Sequence, residues 1–460
     1  MIRRSFQARA LRPPRGALTV ALALALAAGS LAGEAGAQGR GQAGSKQAAS
    51  QPGEAPPVAL AARVLQSGDV TRLSFEVSAP VEPRAFVLAD PARVIVDLPE
   101  MRFDLPPSMP PAPSAGQRGG RSGASGAASQ RMTGLIASYR FGAVGPGRAR
   151  VVIDLAGPAR IVHAASEPGP EGRSRLVIDL APTDAVSFAV AAVEGRGRQA
   201  MTQAQSQSQS PSSAQPPVSA DGLEGRSARG ERPVIVIDPG HGGVDVGAQA
   251  PGRPAEKDIV LEFARALARK LEETGRFSAL LTREGDVFVS LPERVRVARA
   301  AGAQLFLSIH ADSLNEATVS GATVYTVSDK ASDAHAARLA EKENLADKVA
   351  GFETMEDSSE VSDILFDLTR RETRAYSHVF ARTLVSVWKE AAGLNKNPHR
   401  SAGFRVLQAP DVPSALLELG YISHQKDAEL MNTPAWRDRT AGAVARSIEA
   451  FFALREPGGG

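Results

Sequence analysis

Cysteine is absent from all 460 residues. No disulfide can staple this chain, so its stability must come from packed cores. A basic excess is missing as well. The formal net charge is +3, and residues 1–37 hold five arginines against Glu34, so the remainder carries −1. The charge balance does not argue for a nucleic-acid partner. Nor does the apolar run Ala17 to Leu31 suffice for a membrane span. It has about fifteen residues, where a spanning helix needs roughly 20.

That run belongs instead to a leader. Arg3, Arg4, Arg9, Arg12 and Arg15 surround or precede it, and Ala35-Gly36-Ala37 fits a small-residue cleavage site. Residues 1–37 therefore read as a signal peptide. Arg3-Arg4-Ser5-Phe6 resembles a twin-arginine export signal, with the Sec route as the alternative. An exported chain without cysteine fits a bacterial envelope protein of the periplasm. At roughly 150 residues per domain the length allows two or three domains. Glycine and proline cluster, which marks linkers rather than an unusual fold. Residues 38–57 and the Gln/Ser-rich stretch 191–231 are expected to be disordered linkers, leaving the domains on either side free to move.

Between the linkers, residues 58–190 carry a repeated strand. Arg93-Val-Ile-Val-Asp-Leu98, Arg150-Val-Val-Ile-Asp-Leu155 and Arg175-Leu-Val-Ile-Asp-Leu180 are near copies, and Leu73-Ser-Phe-Glu-Val77 alternates apolar with polar. Short β-branched runs without helical period predict an all-β sandwich. Residues 106–131, rich in Pro, Gly and Ser, form an exposed loop. The Arg and Asp of each repeat read either as a ligand-binding row or as cross-strand structural pairs. His163 reads as an ordinary histidine. The repeats, placed ahead of a second module, resemble the AMIN domain, which implies peptidoglycan binding.

Residues 232–455 alternate strands and helices and predict an α/β domain with a mixed sheet flanked by helices. Strands are expected at 234–238, 278–282, 304–309, 321–327, 404–407 and 414–418. Helices are expected at 256–274, 291–302, much of 331–350, 360–391 and 434–453. Ile259, Val260, Phe263, Leu267 and Leu271 form one helical face, and Pro254 stands just before it.

Four residues stand at strand ends or helix starts, where open α/β sheets place their sites. His241 follows Val234-Ile-Val-Ile-Asp238, Glu256 opens a helix, His310 ends Gln304-Leu-Phe-Leu-Ser-Ile309, and Glu418 ends Ser414-Ala-Leu-Leu417. Two imidazoles and a carboxylate (His241, Glu256, His310) suffice to hold a catalytic zinc, Zn2+, with one position open for water. A further carboxylate, Glu418, would take the water's proton and return it to the leaving amine. Each has a plainer reading: Glu256 as an acid complementing a helix dipole, His310 as a satisfied strand-end histidine. Glu418 sits in an apolar run where an unpaired carboxylate is costly. Asp245 reads either as a support behind the metal ligands or, as its Gly-Val context favours, as a turn residue, and His335, His378, His399 and His424 read as surface or helix-face histidines.

Five motifs occur in order: Asp238-Pro-Gly-His-Gly-Gly243, the Glu256-Lys-Asp helix start, Leu291-Pro-Glu-Arg294, Leu307-Ser-Ile-His-Ala-Asp312 and Leu416-Leu-Glu-Leu-Gly-Tyr-Ile-Ser423. Together they resemble the zinc-dependent N-acetylmuramoyl-L-alanine amidases of the cell-division type. The resemblance implies that His241, Glu256 and His310 bind zinc and that Glu418 is catalytic. It implies cleavage of the peptidoglycan amide joining N-acetylmuramic acid to L-alanine of the stem peptide, in septal wall splitting. It also implies that the insertion at about 331–391 covers the metal until an activator of the LytM type displaces it. There, in Glu341-Lys-Glu343-Asn344-Leu-Ala-Asp347, Glu343 is the first candidate for the inhibitory plug and Glu341 the second; a solvated helical face is the plainer reading. Asp312, Arg299 and His424 depart from the usual pattern. The alternatives are a zinc peptidase cutting within the stem peptide and a non-catalytic wall-binding division scaffold.

Overall fold

A computed structural model describes residues 55–105, 134–208, 232–250, 252–314, 316, 318–352 and 364–455, with side chains left aside at 200–208 and 364–368. The leader 1–37, most of 38–57, the loop 106–131 and the acidic stretch Glu353 to Asp363 lie outside the described residues.

The N-terminal region is a sandwich of two sheets. One runs in the order β5 (Arg102–Phe103), β1 (Val58–Ser67), β2 (Val70–Val77), β9 (Ser174–Pro182), β8 (Ala159–Pro168). The other runs β3 (Arg84–Leu88), β4 (Arg93–Pro99), β7 (Arg148–Leu155), β6 (Ile136–Gly145). Alternation decides which residues face inward. Leu73, Phe75, Leu176 and Ile178 from the first sheet meet Val94, Val96, Val151 and Ile153 from the second in one core.

The repeated motif also sets the outer face. On antiparallel β4 and β7 the register opposes Arg93 to Asp154, Ile95 to Val152 and Asp97 to Arg150. Of the two readings of the Arg and Asp residues, cross-strand pairing is seen. Arg150 Nε donates to Asp97 at 2.6 Å, Arg140 pairs with Asp154 at 2.6 Å, and Arg72 with Asp179 at 2.7 Å.

The expected linker 191–231 begins as a helix. α1 (Ala185–Ser208) starts where Asp184 Oδ1 accepts the amides of Val186 and Ser187 at 3.0 and 2.9 Å. Capping of this kind starts helices. Phe188 and Ala192 bury against the sandwich core. One turn later Gly195 lies so close to β3 that a Cβ there would stand 2.2 Å from the Val87 carbonyl oxygen. Positions 188, 192, 195 and 199 share one helical stripe, hidden by the Gln/Ser composition that follows.

The C-terminal region is built on a mixed sheet: β11 (Ser278–Leu281), β10 (Val234–Pro239), β12 (Leu305–His310), β15 (Ser414–Glu418), β13 (Ala322–Val327), β14 (Leu394–Ala402). Only the β13–β15 pairing is antiparallel. The central strands are buried on both faces and read as continuous apolar runs, as covered parallel strands do. On one face Ile235, Ile237, Leu307 and Leu417 pack against α2 (Glu256–Glu273), α6 (Ile364–Trp388) and α8 (Pro434–Ala453). On the other, Val236, Phe306 and Leu416 pack against α3 (Leu291–Ala300) and α4 (Ala334–Glu343). A four-residue helix, α5 (Ala346–Val349), follows α4, and α7 (Gln425–Met431) precedes α8.

The expected strand at 404–407 is instead a 3-10 turn, Arg405–Leu407. The edge is β14, whose sequence Leu394-Asn-Lys-Asn-Pro-His-Arg-Ser-Ala402 is polar and interrupted by proline. An edge strand tolerates both. The freedom expected between the two regions is also not seen. Phe86, Leu88, Ile95, Val144 and Val152 of the sandwich form one buried cluster with Val244, Phe288 and Ala350. Among the described residues, no helix is long and apolar enough to cross a membrane.

Candidate metal centre

β10 delivers His241 through the turn Pro239-Gly240. His241 is held at φ 59°, a left-handed conformation that costs a side-chain-bearing residue energy. Two buried arginines hold that turn. Arg294 donates to the carbonyl oxygens of Pro239 at 2.9 Å and His241 at 2.8 Å, and to Asp238 Oδ1 at 2.7 Å. Arg283 donates to the carbonyls of Pro239, Gly240 and Lys257; burial lowers its pKa to about 10. Asp238 accepts further bonds from Thr282 and Ser308. Gly240 must be glycine, because a Cβ would lie 2.4 Å from the His310 ring.

The four anticipated residues stand together, and a fifth joins them. The His241 and His310 rings lie 4.9 Å apart at 76°. His241 Nε2 is 3.2 Å from Glu256 Oε2 and 3.5 Å from Glu343 Oε2. His310 Nδ1 is 3.2 Å from Glu256 Oε1 and 3.3 Å from Glu343 Oε2. The Glu256 oxygens also accept the amides of Ala248 and Ala311 at 2.7 and 2.9 Å, which fixes the carboxylate. Parallel pairing of β12 and β15 sets His310 beside Glu418. Glu418 Oε2 accepts the Asp312 amide at 2.9 Å, while its Oε1 is buried without a hydrogen-bond partner.

Burial works against a charged His241, but Glu256, Asp245 and Glu343 outweigh it and hold the imidazole pKa well above its ordinary value. Burial likewise opposes a charged Glu256, and the two imidazoles hold that carboxyl well below the usual range. Glu418 moves the other way. Burial, then Asp312, Glu256 and Glu343, push its pKa well above the carboxylate range.

The donor set fits a metal. His241 Nε2 and His310 Nδ1 are buried with no hydrogen-bond partner, and Glu343 Oε2 faces both. Buried polar atoms seldom stay unpaired, and one ligand atom from each of His241, His310 and Glu343 lies within 4.8 Å of the others. Both readings of Asp245 are seen, since it bonds the His241 imidazole and the turn at once. Its Oδ2 accepts from His241 Nδ1 at 2.9 Å and its Oδ1 from the Gly247 amide at 3.2 Å. That bond leaves Nε2 free to ligate, the usual carboxylate–histidine arrangement.

Glu343 closes α4, and the residues around it are tied down. Lys342 pairs with Asp312, Asn344 bonds Gly403 and Arg405, and Asp347 Oδ1 accepts the Leu291 amide at 2.9 Å. Glu341 is exposed. Of the remaining histidines, His424 accepts the Asp427 amide, His378 and His399 share Thr326, His163 meets Glu167, and His335 packs edge-on against Tyr421 with its Nε2 buried and without a hydrogen-bond partner. Arg299 pairs with Asp411 at the surface.

A family profile described as N-acetylmuramoyl-L-alanine amidase matches residues 235–450. The amidase AmiC of Neisseria meningitidis is 31% identical over 402 residues, 86% of this chain and 90% of its own. The amidase AmiA of Escherichia coli is 37% identical over 224 residues, 48% of this chain and 77% of its own. Among solved structures, AmiC2 of Nostoc punctiforme is 29% identical, covering 49% of this chain and 98% of its own at a TM-score of 0.34. With the AmiC likeness running through both regions, the chain belongs to the N-acetylmuramoyl-L-alanine amidase family.

Proposed function

We propose that this peptidoglycan amidase is zinc-dependent and is held shut by its own Glu343. Its bond is the amide between the lactyl group of N-acetylmuramic acid and L-alanine. The observation that carries the reading is the convergence of His241 Nε2 and His310 Nδ1, both otherwise unpartnered, on the carboxylates of Glu256 and Glu343. His241, Glu256 and His310 would hold the ion, with Asp245 fixing the His241 tautomer. Zinc, when bound, polarises a water and brings its pKa to about 7.

The protein's own groups do the rest. Glu418 takes the proton of the attacking water and delivers it to the leaving amide nitrogen. Its raised pKa suits the second transfer, and that rise comes from burial and from neighbours including Glu343. Glu343 faces both imidazoles, where water must bind, so substrate is turned over only when α4 moves away. The leader supports export to the periplasm. The sandwich is read as an AMIN-type wall-binding module, and the setting as septal splitting during division.

The test is digestion of purified sacculi by the full chain carrying Glu343→Ala, with and without chelator, followed by mass analysis. Free stem peptides and unsubstituted glycan, lost with chelator, are expected. Shortened stem peptides still attached to glycan would mean a peptidase instead. Sacculi left intact would mean a non-catalytic wall binder.

A further inference from the structure

We infer that the outer face of the four-stranded sheet is a built receptor for the segment Lys348–Phe352, and that this contact latches the inhibitory plug. The inference rests on the reading of Glu343 as the plug.

An outward sheet face normally meets water, and its charges are solvated. Here the face has been made apolar and its arginines buried. Arg93 is 1% exposed and Arg150 3%. Such burial is costly unless every guanidinium finds acceptors. The acceptors are the carbonyls at the end of α5 and just beyond it, where a helix terminus leaves carbonyls exposed; that of Lys348 also takes the Gly351 amide at 2.9 Å. Arg93 donates to the carbonyl of Lys348. Arg140 Nε donates to that of Val349 at 2.7 Å. Arg150 donates to those of Ala350 at 3.1 Å and Gly351 at 3.0 Å. Gln199 of α1 reaches the same Gly351 oxygen at 2.6 Å. Four successive carbonyls are thus held from the sandwich.

The fit is also steric. Gly351 adopts φ 75° and lies flat on the centre of the repeated motif. A Cβ there would stand 2.5 Å from Ile95 and 3.3 Å from Val152. Phe352 closes the segment, with the Arg150 guanidinium 4.4 Å over its ring and Phe288 stacked on it at 5.6 Å. Asp97 and Asp154, on the same strands, hold Arg150 and Arg140 in position. The register that opposes the two Arg-x-Ile/Val-x-Asp repeats therefore yields a row of aimed guanidinium groups with an apolar floor between them.

Lys348 is only five residues beyond Glu343, and α4 and α5 are separated by two residues. A segment fixed at 348–352 cannot let α4 swing away while the contact lasts. The sandwich also reaches the other side of the metal centre. The Ala143 carbonyl accepts the Phe288 amide at 3.1 Å, and a Cβ at Gly243 would meet that carbonyl oxygen at 1.9 Å. Release of the sandwich face is thus a condition for opening.

The test uses the full chain and two independent lesions. Arg140→Ala/Arg150→Ala removes three of the five donated bonds, those of Arg140 to Val349 and of Arg150 to Ala350 and Gly351. Gly351→Val leaves the sandwich and its ion pairs intact and lifts the segment by collision with Ile95. Glu343→Ala serves as the reference for the plug. One readout is release of soluble fragments from dye-labelled peptidoglycan by zinc-loaded protein with no activator. The other is amide hydrogen exchange across 340–352 in metal-free protein. Both lesions should raise basal release about tenfold or more, as loss of roughly 1.4 kcal/mol of latch free energy requires. Both should speed exchange across 340–352 and leave β2 and β9 unchanged. Wild-type release in both lesions beside a raised rate in Glu343→Ala would overturn the latch and leave the plug standing. Unchanged exchange across 340–352 in both would overturn the receptor itself. A wild-type rate in Glu343→Ala would overturn the plug, and the latch with it.

Discussion

Glu418 and Asp238 show how burial gives two carboxyls opposite tasks. Glu418 is fully buried among other acids and has one free oxygen, so its affinity for a proton is raised. Glu418→Gln should keep about one zinc per chain while hydrolysis falls by roughly 10²–10⁴, the range of a lost acid–base group. Metal analysis beside a rate assay checks this; loss of zinc would make Glu418 a ligand. Asp238 is equally buried, but Arg294, Thr282 and Ser308 overcome the burial and hold its pKa below the usual range. A depressed folded pKa stabilises fully above the unfolded value of roughly 3.9, and the gain is lost as pH falls through the folded value. Asp238→Asn leaves Arg294 buried without its carboxylate partner, at a cost of about 3–5 kcal/mol near neutrality. Denaturant unfolding between about pH 3 and 7 should show wild type and variant converging at the acid end; parallel curves would contradict this. The two histidines, Glu256 and Glu418 were legible because strand ends and helix starts reveal themselves in sequence. Asp245 was legible only as one of two readings, since an acid four residues after a histidine in a glycine-rich turn looks the same whether it serves the turn or the imidazole.

At the scale of elements, periodic and apolar segments were easy to read. β10, β12, β15, α2 and α8 lie within a residue of expectation because each buries a continuous face. β14 was missed because an edge strand beside β13 needs no apolar run, and the 3-10 turn at 405–407 was taken for a strand on a short apolar triplet. α1 was read as linker from position 191 because four well-spaced residues carry its packing within a polar composition. That stripe predicts a specific weakness. Gly195→Leu would drive a side chain into β3, where even a Cβ stands 2.2 Å from the Val87 carbonyl. Overpacking of this kind costs about 1–3 kcal/mol, and a lower urea midpoint with an unchanged slope should report it. A midpoint equal to wild type would mean that α1 does not dock on the sandwich in solution.

For the whole molecule, two folds meet at one buried apolar cluster. A mixed sheet gathers His241, His310 and Glu418 at the ends of adjacent strands, and α2 adds Glu256. The sandwich and the catalytic region were each readable from their own patterns. Their contact was not, because Arg-Val-Ile-Val-Asp-Leu is also what a solvated outer strand looks like; only the opposed register of β4 and β7 discloses a receptor. In the proposed resting state two imidazoles and Glu256 hold zinc while Glu343 fills the remaining position. Zinc-edge X-ray absorption on the loaded full chain, compared with Glu343→Ala, tests it most directly. Two imidazoles per zinc are expected in both proteins, with one carboxylate oxygen replaced by water in the variant. A count of one or three imidazoles, or identical spectra from the two proteins, would contradict it.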